Sequence, residues 1–467
     1  MRRHLPSLFD NIKFSFAGTL KLQAQMKNYL KIILAIIICM YATCCMSGKG
    51  GNRGGEAKIN NSEQINTPQT SSSTIIEGNA TSNGIIAIAD HPIVNVYLEN
   101  SGSMNGYVDN GKTLFQQDVY NYLCDIHISE IASEINLHFI NSQIINKGSV
   151  IEDFINKLTP NSFKTSGGKT TTTDIADVFK QVLNRTDDNT VSIFISDCIF
   201  SPGSVTNPQA YLANQQVGIK KCFADHLTQY PNFSVLVYQL YSNFSGTYYD
   251  YMNRPRKYNG ERPYYIWVMG HTANIAKLRA YIPNEKFSGS GVANMWCAFN
   301  HTVEDLSYSI VPKAIIGDFN KVSKNSISRI KKTNGEFAFQ VLAKLDVLEL
   351  MLGNDYLMDT NNYARLINKY DTDEWYIDVE RNTNASSPAT HNIILGTTKN
   401  TLSGTLSVAI RCKSPKWAYE LTDDDDSSFT DENNRKTYGL KYMIDGIQQA
   451  FEAKSSGDYT VMDFKLN

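Results

Sequence analysis

Four short runs of β-branched and aromatic residues mark the first half of the folded chain: residues 93–98 (IVNVYL), 191–195 (VSIFI), 233–238 (FSVLVY) and 264–269 (YYIWVM). Each is bounded by Pro, Gly or polar residues and none carries a charge, the pattern of buried strands. Between and after them, residues 115–126, 175–183, 208–230 and 271–282 place apolar side chains at helical spacing. Strands alternating with helices predict an α/β fold, a doubly wound and mainly parallel sheet with helices on both faces. From about residue 284 the pattern changes. Residues 337–345 and 401–411 alternate with a period of two between Asn, Gly and Ser turns. This predicts a β-rich, sandwich-like domain over 284–467, with one helix near 438–454 and a last strand at 459–466.

The N-terminal segment has a different character. From Met26 the chain reads MKNYLKIILAIIICMYATCC. Lys27 and Lys31 precede an apolar stretch at 32–42 that is shorter than the ~20 residues needed to span a bilayer. Small residues Ala42 and Thr43 then lead into Cys44 and Cys45. The arrangement resembles a bacterial lipoprotein signal, which implies lipidation at Cys44 (or Cys45) and attachment to the cell envelope, at the outer membrane or the periplasmic face. Residues 1–45 are set aside on that reading as signal peptide, with 1–25 the remnant of a misassigned translation start and Met26 the first residue. Residues 46–88, rich in Gly, Ser, Thr and Asn, bury too little apolar surface to offset ordering and read as a flexible tether.

Polar clusters follow the predicted strands. Glu99-Asn100-Ser101-Gly102-Ser103 comes after the first, with a carboxylate and two hydroxyls at i, i+2 and i+4. Gly167-Gly168-Lys169-Thr170-Thr171-Thr172-Thr173-Asp174 leads into the helix at 175–183, for which Thr173 is the expected N-cap. Ser196-Asp197 ends the strand at 191–195. Ligands of α/β sheets bind at the carboxyl ends of the strands, so these clusters converge on one predicted site. Hydroxyls and carboxylates are hard donors that suit Mg²⁺, Mn²⁺ or Ca²⁺ rather than zinc or copper.

These residues resemble the metal-ion-dependent adhesion site of von Willebrand factor type A domains, and the resemblance covers about 89–283. The family's Asp-x-Ser-x-Ser loop is matched at Ser101 and Ser103, its distant Thr at Thr173 and its distant Asp at Asp197. Thr170, Thr171 or Thr172 can stand in for Thr173. Glu99 departs from the pattern, standing where the family has Asp. The resemblance implies a Rossmann-like fold, a bound divalent cation, and recognition of a protein partner whose acidic side chain completes the metal sphere.

Composition narrows the alternatives. Lys and Arg number 44 against 46 Asp and Glu, a net charge of −2, which leaves no positive excess for nucleic acid. Five cysteines lie beyond the tether, an odd number without zinc-site spacing, and are expected as buried free thiols. His127, His138 and His226 sit in apolar surroundings and read as core histidines. The Tyr-rich stretch 242–262 reads as a long loop that either recognises a partner or packs on the sheet edge. Asp423 to Asp426, with Asp431 and Glu432 nearby, read as a solvated acidic turn. No phosphate loop, nucleophile elbow or His-x-x-x-His pair is present, so no catalytic residue is assigned. The expectation is a lipid-anchored, non-enzymatic binding protein, with a metal-assisted envelope hydrolase or a structural lipoprotein with a metal-free site as alternatives.

Overall fold

The computed structural model describes residues 91–108, 113–170, 174–203, 205–300, 306–400, 402–430, 434–455 and 457–467. The segments expected as signal and tether, with Cys44 and Cys45, and Thr171, Thr172, Thr173, Asp431 and Glu432 lie outside the described residues.

Seven strands build the first sheet: β1 (Ile93–Glu99), β2 (Glu134–Ile140), β3 (Ile144–Asn146), β4 (Thr190–Ser196), β5 (Phe233–Tyr249), β6 (Pro255–His271) and β7 (Asn294–Phe299). Their order is β3-β2-β1-β4-β6-β5-β7. β1 runs parallel to both β2 and β4. β6 pairs antiparallel with β4 and with β5, which returns β5 to the direction of β1. The sheet is therefore mixed, with four strands in one direction and β3, β6 and β7 opposed.

Helices cover both faces, as alternation of the buried strand side chains requires. On one face α1 (Leu114–Ile128) sets Phe115 edge-on to Tyr264 and Tyr122 edge-on to Tyr238. Two short helices, α2 (Ile151–Asn156) and α3 (Pro160–Thr165), follow. The opposite face carries α4 (Ile175–Leu183) and α5 (Pro208–Gln229), where Phe179 contacts Phe194, Phe223 and Trp267. The N-cap of α4 is Asp174, whose side chain accepts the Asp177 N–H; the expected cap, Thr173, stands one residue too early. α6 (Thr272–Tyr281) follows β6.

Beyond it come β8 (Ser307–Ile316), β9 (Asp318–Ser323), β10 (Ser326–Lys331), β11 (Phe337–Lys344), α7 (Asp346–Leu352), α8 (Asn354–Met358), β12 (Tyr363–Ile367), β13 (Tyr370–Asp371), β14 (Trp375–Arg381), β15 (His391–Thr397), β16 (Gly404–Arg411), α9 (Lys416–Glu420), β17 (Thr422–Asp423), β18 (Thr437–Tyr438), α10 (Leu440–Lys454) and β19 (Asp458–Leu466). The strands form a six-stranded sheet, β13-β12-β16-β19-β10-β9, a four-stranded one, β14-β15-β11-β8, and a separate pair, β17-β18. Rings of the two sheets meet where Phe464 touches Phe339 and Tyr308, and this part of the chain is β-rich, as expected.

The two parts are interleaved rather than consecutive. β7, at 294–299, joins the α/β sheet through β5, so that sheet extends past residue 283. α10 packs along α5. The described residues accordingly belong to one compact unit.

The Tyr-rich stretch is not a loop. β5 and β6 stay paired from Phe233↔His271 out to Tyr249↔Pro255, so residues 242–262 form a long hairpin arm turning at 250–254. Tyr248 and Phe244 are buried, which is why a stretch broken by Asn, Gly and Arg still folds as strand.

Candidate functional site

The carboxyl ends of the adjacent parallel strands β1 and β4 bring Glu99 and Asp197 to the same rim of the sheet. Glu99 is 2% exposed and Asp197 1%. Ser196 Oγ donates a very short hydrogen bond to Glu99 Oε2 and accepts from the Cys198 N–H at 2.7 Å. Cys198 takes φ of 57°, so the chain turns sharply just after Asp197, and its thiol accepts from Trp267 Nε1 at 3.1 Å.

After β1 a single 3₁₀ turn, Ser103–Tyr107, folds the hydroxyl-rich loop back over the strand ends. Ser101 Oγ and Ser103 Oγ are 2.9 Å apart, and the Ser103 hydroxyl lies near enough to the Asp197 carboxylate to favour its ionised form. The Gly102 N–H donates to the Thr170 carbonyl at 2.8 Å, tying in the third cluster. Asn141 donates to Asn100 Oδ1, and Asn100 to the Phe163 carbonyl, which anchors the loop from the side of β2 and α3.

Four of the expected site residues, Glu99, Ser101, Ser103 and Asp197, therefore meet. The fifth, Thr173, lies outside the described residues, although Thr170 borders the site. Burial pushes the Asp197 carboxyl well above the usual range, and the neighbouring charge of Glu99 pushes it further. The Ser103 hydroxyl, the Arg262 charge and the Ile199 N–H act the other way. Two buried carboxylates so placed cannot both ionise without a compensating positive charge, supplied by a proton or a cation.

Above the hydroxyls opens a cleft of about 490 Å³. Ser101 and Ser103 line it, with Asn161 and Lys164, and with Tyr249 and Asn253 from the tip of the hairpin arm. Asn105 also borders it, and its buried Oδ1 has no hydrogen-bond partner. Two carboxylates, two hydroxyls and an unpartnered amide oxygen are all hard donors, so the residues fit a divalent cation of the Mg²⁺, Mn²⁺ or Ca²⁺ class. Among the described residues no three His, Cys, Asp or Glu side chains gather at one point.

No family model, curated protein or solved structure matches the chain.

Several parts of the site are not evident in the sequence. The arm lies against the 3₁₀ turn: a Cβ on Gly246 would fall 2.7 Å from Gly106 Cα, and Tyr107 meets Phe244 edge-on. The arm is held in turn by a strap made of residues 423–430 and 434–438. Asp426, expected in a solvated turn, is buried; it accepts the Tyr251 N–H at 2.8 Å and a very short hydrogen bond from Tyr248. Arg262 Nη1 donates to the carbonyls of Asn434 and Lys436 at 2.6 and 3.2 Å. No local pattern signals these contacts, since the partners are more than 170 residues apart.

The remaining expectations divide. Cys124, Cys198, Cys222, Cys297 and Cys412 are all free, though Cys124 and Cys222 are only partly buried. His138 and His226 are buried; His127 is exposed, because it faces outward on the last turn of α1.

Proposed function

We propose that the cleft at the carboxyl end of the α/β sheet is a divalent-cation-dependent recognition site, in a lipid-anchored protein of the bacterial cell envelope. Glu99, Ser101, Ser103 and Asp197 hold the ion, with Thr173 or a neighbouring threonine as a further ligand, in the manner of the von Willebrand factor type A domains these residues resemble. An acidic side chain of a protein partner enters the cleft and takes the exchangeable position on the cation.

The observation that carries this reading is the buried pair Glu99 and Asp197, drawn together from the ends of two strands far apart in sequence, with Glu99 bonded to Ser196 and Asp197 beside Ser103, whose hydroxyl meets that of Ser101. A pair of desolvated carboxylates is costly without a counter-charge. A divalent ion supplies one and gives the unpartnered Asn105 oxygen a role. Lys164, on the cleft wall, favours an anionic entrant.

A specific observation favours a second reading. Glu99 already accepts from Ser196, and Ser101 and Ser103 bond each other, so the same residues can close a metal-free hydrogen-bond network once one carboxyl is protonated. Calorimetric titration of the chain with Mg²⁺, Mn²⁺ and Ca²⁺, beside Asp197→Ala, separates the two. Saturable binding lost in the variant supports the cation site; heats indistinguishable from dilution support the closed network. Capture of a partner that EDTA abolishes then tests the recognition role.

A further inference from the structure

Arg262 is a buried cation whose position the hydrogen bonds of the strap do not by themselves explain. It is 1% exposed. Its Nη1 reaches two strap carbonyls, while Nε and Nη2 have no hydrogen-bond partner. The guanidinium lies 4.6 Å from the centre of the Tyr248 ring and 5.3 Å from that of Phe429, so aromatic faces replace part of its hydration. Arginine does not give up its proton when buried, so the charge remains and needs an anion nearby.

Strand register shows where that anion is. Tyr265 of β6 pairs with Ser196 of β4, so Asp197, the next residue after β4, stands level with Tyr264, two positions along β6 from Arg262. Tyr248, Tyr107 and Tyr265 also bear on Arg262 and are neutral at physiological pH; of the buried carboxylates, Asp197 acts on it directly, and Asp426 stands behind the Tyr248 hydroxyl.

We propose that Arg262 is the built-in counter-cation of the site, holding down its affinity for a divalent ion alone and making the ion bind together with an anionic group of the partner. This rests on the cation-site reading above. With Glu99 and Asp197 ionised, the two carboxylates carry two negative charges and Arg262 one positive. A divalent ion leaves the site with one positive charge in excess, unfavourable in a low-dielectric interior, and an incoming carboxylate returns it to neutral. Without Arg262, the ion alone would neutralise the two carboxylates and a third would overcharge the site. Ion and carboxylate thus favour each other reciprocally in the native chain. Arg262 acts through the carboxylates and is a positioning residue.

The test is Mn²⁺ titration of the full chain, in mildly alkaline buffer so that the carboxylates are ionised, for wild type, Arg262→Gln and Arg262→Lys. Each is measured in chloride and in acetate at matched ionic strength, with acetate as the probe for a partner carboxylate. Arg262→Gln is expected to bind Mn²⁺ about tenfold more tightly in chloride and to lose the acetate enhancement. Arg262→Lys, which keeps the charge, is expected to stay near wild type. A merely structural arginine would give weaker binding in both variants. A folded Arg262→Gln chain with unchanged or weakened Mn²⁺ affinity overturns the proposal, as does a wild type whose Mn²⁺ affinity acetate leaves unchanged. That second arm decides the matter if Arg262→Gln does not fold. A wild type that binds no Mn²⁺ overturns the cation site itself, whereas Mn²⁺ binding with the wrong response to Arg262→Gln overturns this inference alone.

Discussion

Replacing Asp426 with asparagine is expected to stabilise the protein at alkaline pH, although it alters a buried hydrogen-bonded group. Burial raises the Asp426 carboxyl to about 6 from an ordinary value of 3.8, with Asp250 and Asp423 adding to the rise and the bonds from Tyr248 and Tyr251 opposing it. In the window between those values the folded state binds more protons than the unfolded state, so stability falls as pH rises through it. A displacement of that size corresponds to about 3 kcal/mol of stability present below pH ~4 and lost above pH ~6. The amide introduced by Asp426→Asn would keep an oxygen for the Tyr251 N–H and never ionise. It would leave the Tyr248 hydroxyl facing an N–H₂ group, at a cost of about 1 kcal/mol. The net expectation is a gain of about 2 kcal/mol near pH ~8 and a loss of about 1 kcal/mol near pH ~4. Asp426→Ala should destabilise at both, since it leaves Tyr248 and Tyr251 without an acceptor. Denaturant unfolding at the two pH values measures all of this. Equal destabilisation by Asp426→Asn and Asp426→Ala at the higher pH would overturn the expectation, because the ionised carboxylate would then be contributing stability rather than costing it.

His226 carries the opposite slope. Burial lowers its imidazole to about 4, so the unfolded state binds the extra proton between there and ~6.5 and stability is lost as pH falls through that window; His226→Leu should flatten this acid limb by up to about 3 kcal/mol in the same unfolding assay. Gly246→Ala places a methyl 2.7 Å from Gly106 Cα. The clash should lower stability by about 1–3 kcal/mol and, by lifting the arm from the serine loop, weaken Mn²⁺ binding; thermal melts and titration check the two effects. Glu99→Gln keeps an acceptor for Ser196 but removes a charge, so it should abolish divalent binding while leaving the melting temperature near that of wild type.

How much of this is legible in the sequence depends on the range of the interactions involved. β1, β4, α10 and β19 are readable because hydrophobic periodicity is local: the last helix, predicted near 438–454, runs over Leu440–Lys454. Glu99, Ser101, Ser103 and Asp197 are readable because strand ends in α/β sheets collect polar groups. Strand direction is not encoded in a period of two, so the antiparallel insertion of β6 between β4 and β5 leaves no local trace. The arm reads as a loop because Asn243, Gly246 and Gly260 interrupt it, while what makes it strand is the packing of Phe244 and Tyr248 against Tyr107 and Phe429. The burial of Asp426 and Arg262 depends on partners brought in from the other half of the chain, and charge patterning alone assigns such residues to the surface.

Whether Glu99, Ser101, Ser103 and Asp197 share one divalent ion can be read from the anomalous scattering of crystals grown with Mn²⁺. A single strong peak is expected among those four side chains, ~2.0–2.4 Å from their oxygens, and none in Asp197→Ala. A wild-type map without that peak at saturating Mn²⁺, with Ser196 still bonded to Glu99 and Ser101 to Ser103, would rule out the shared ion.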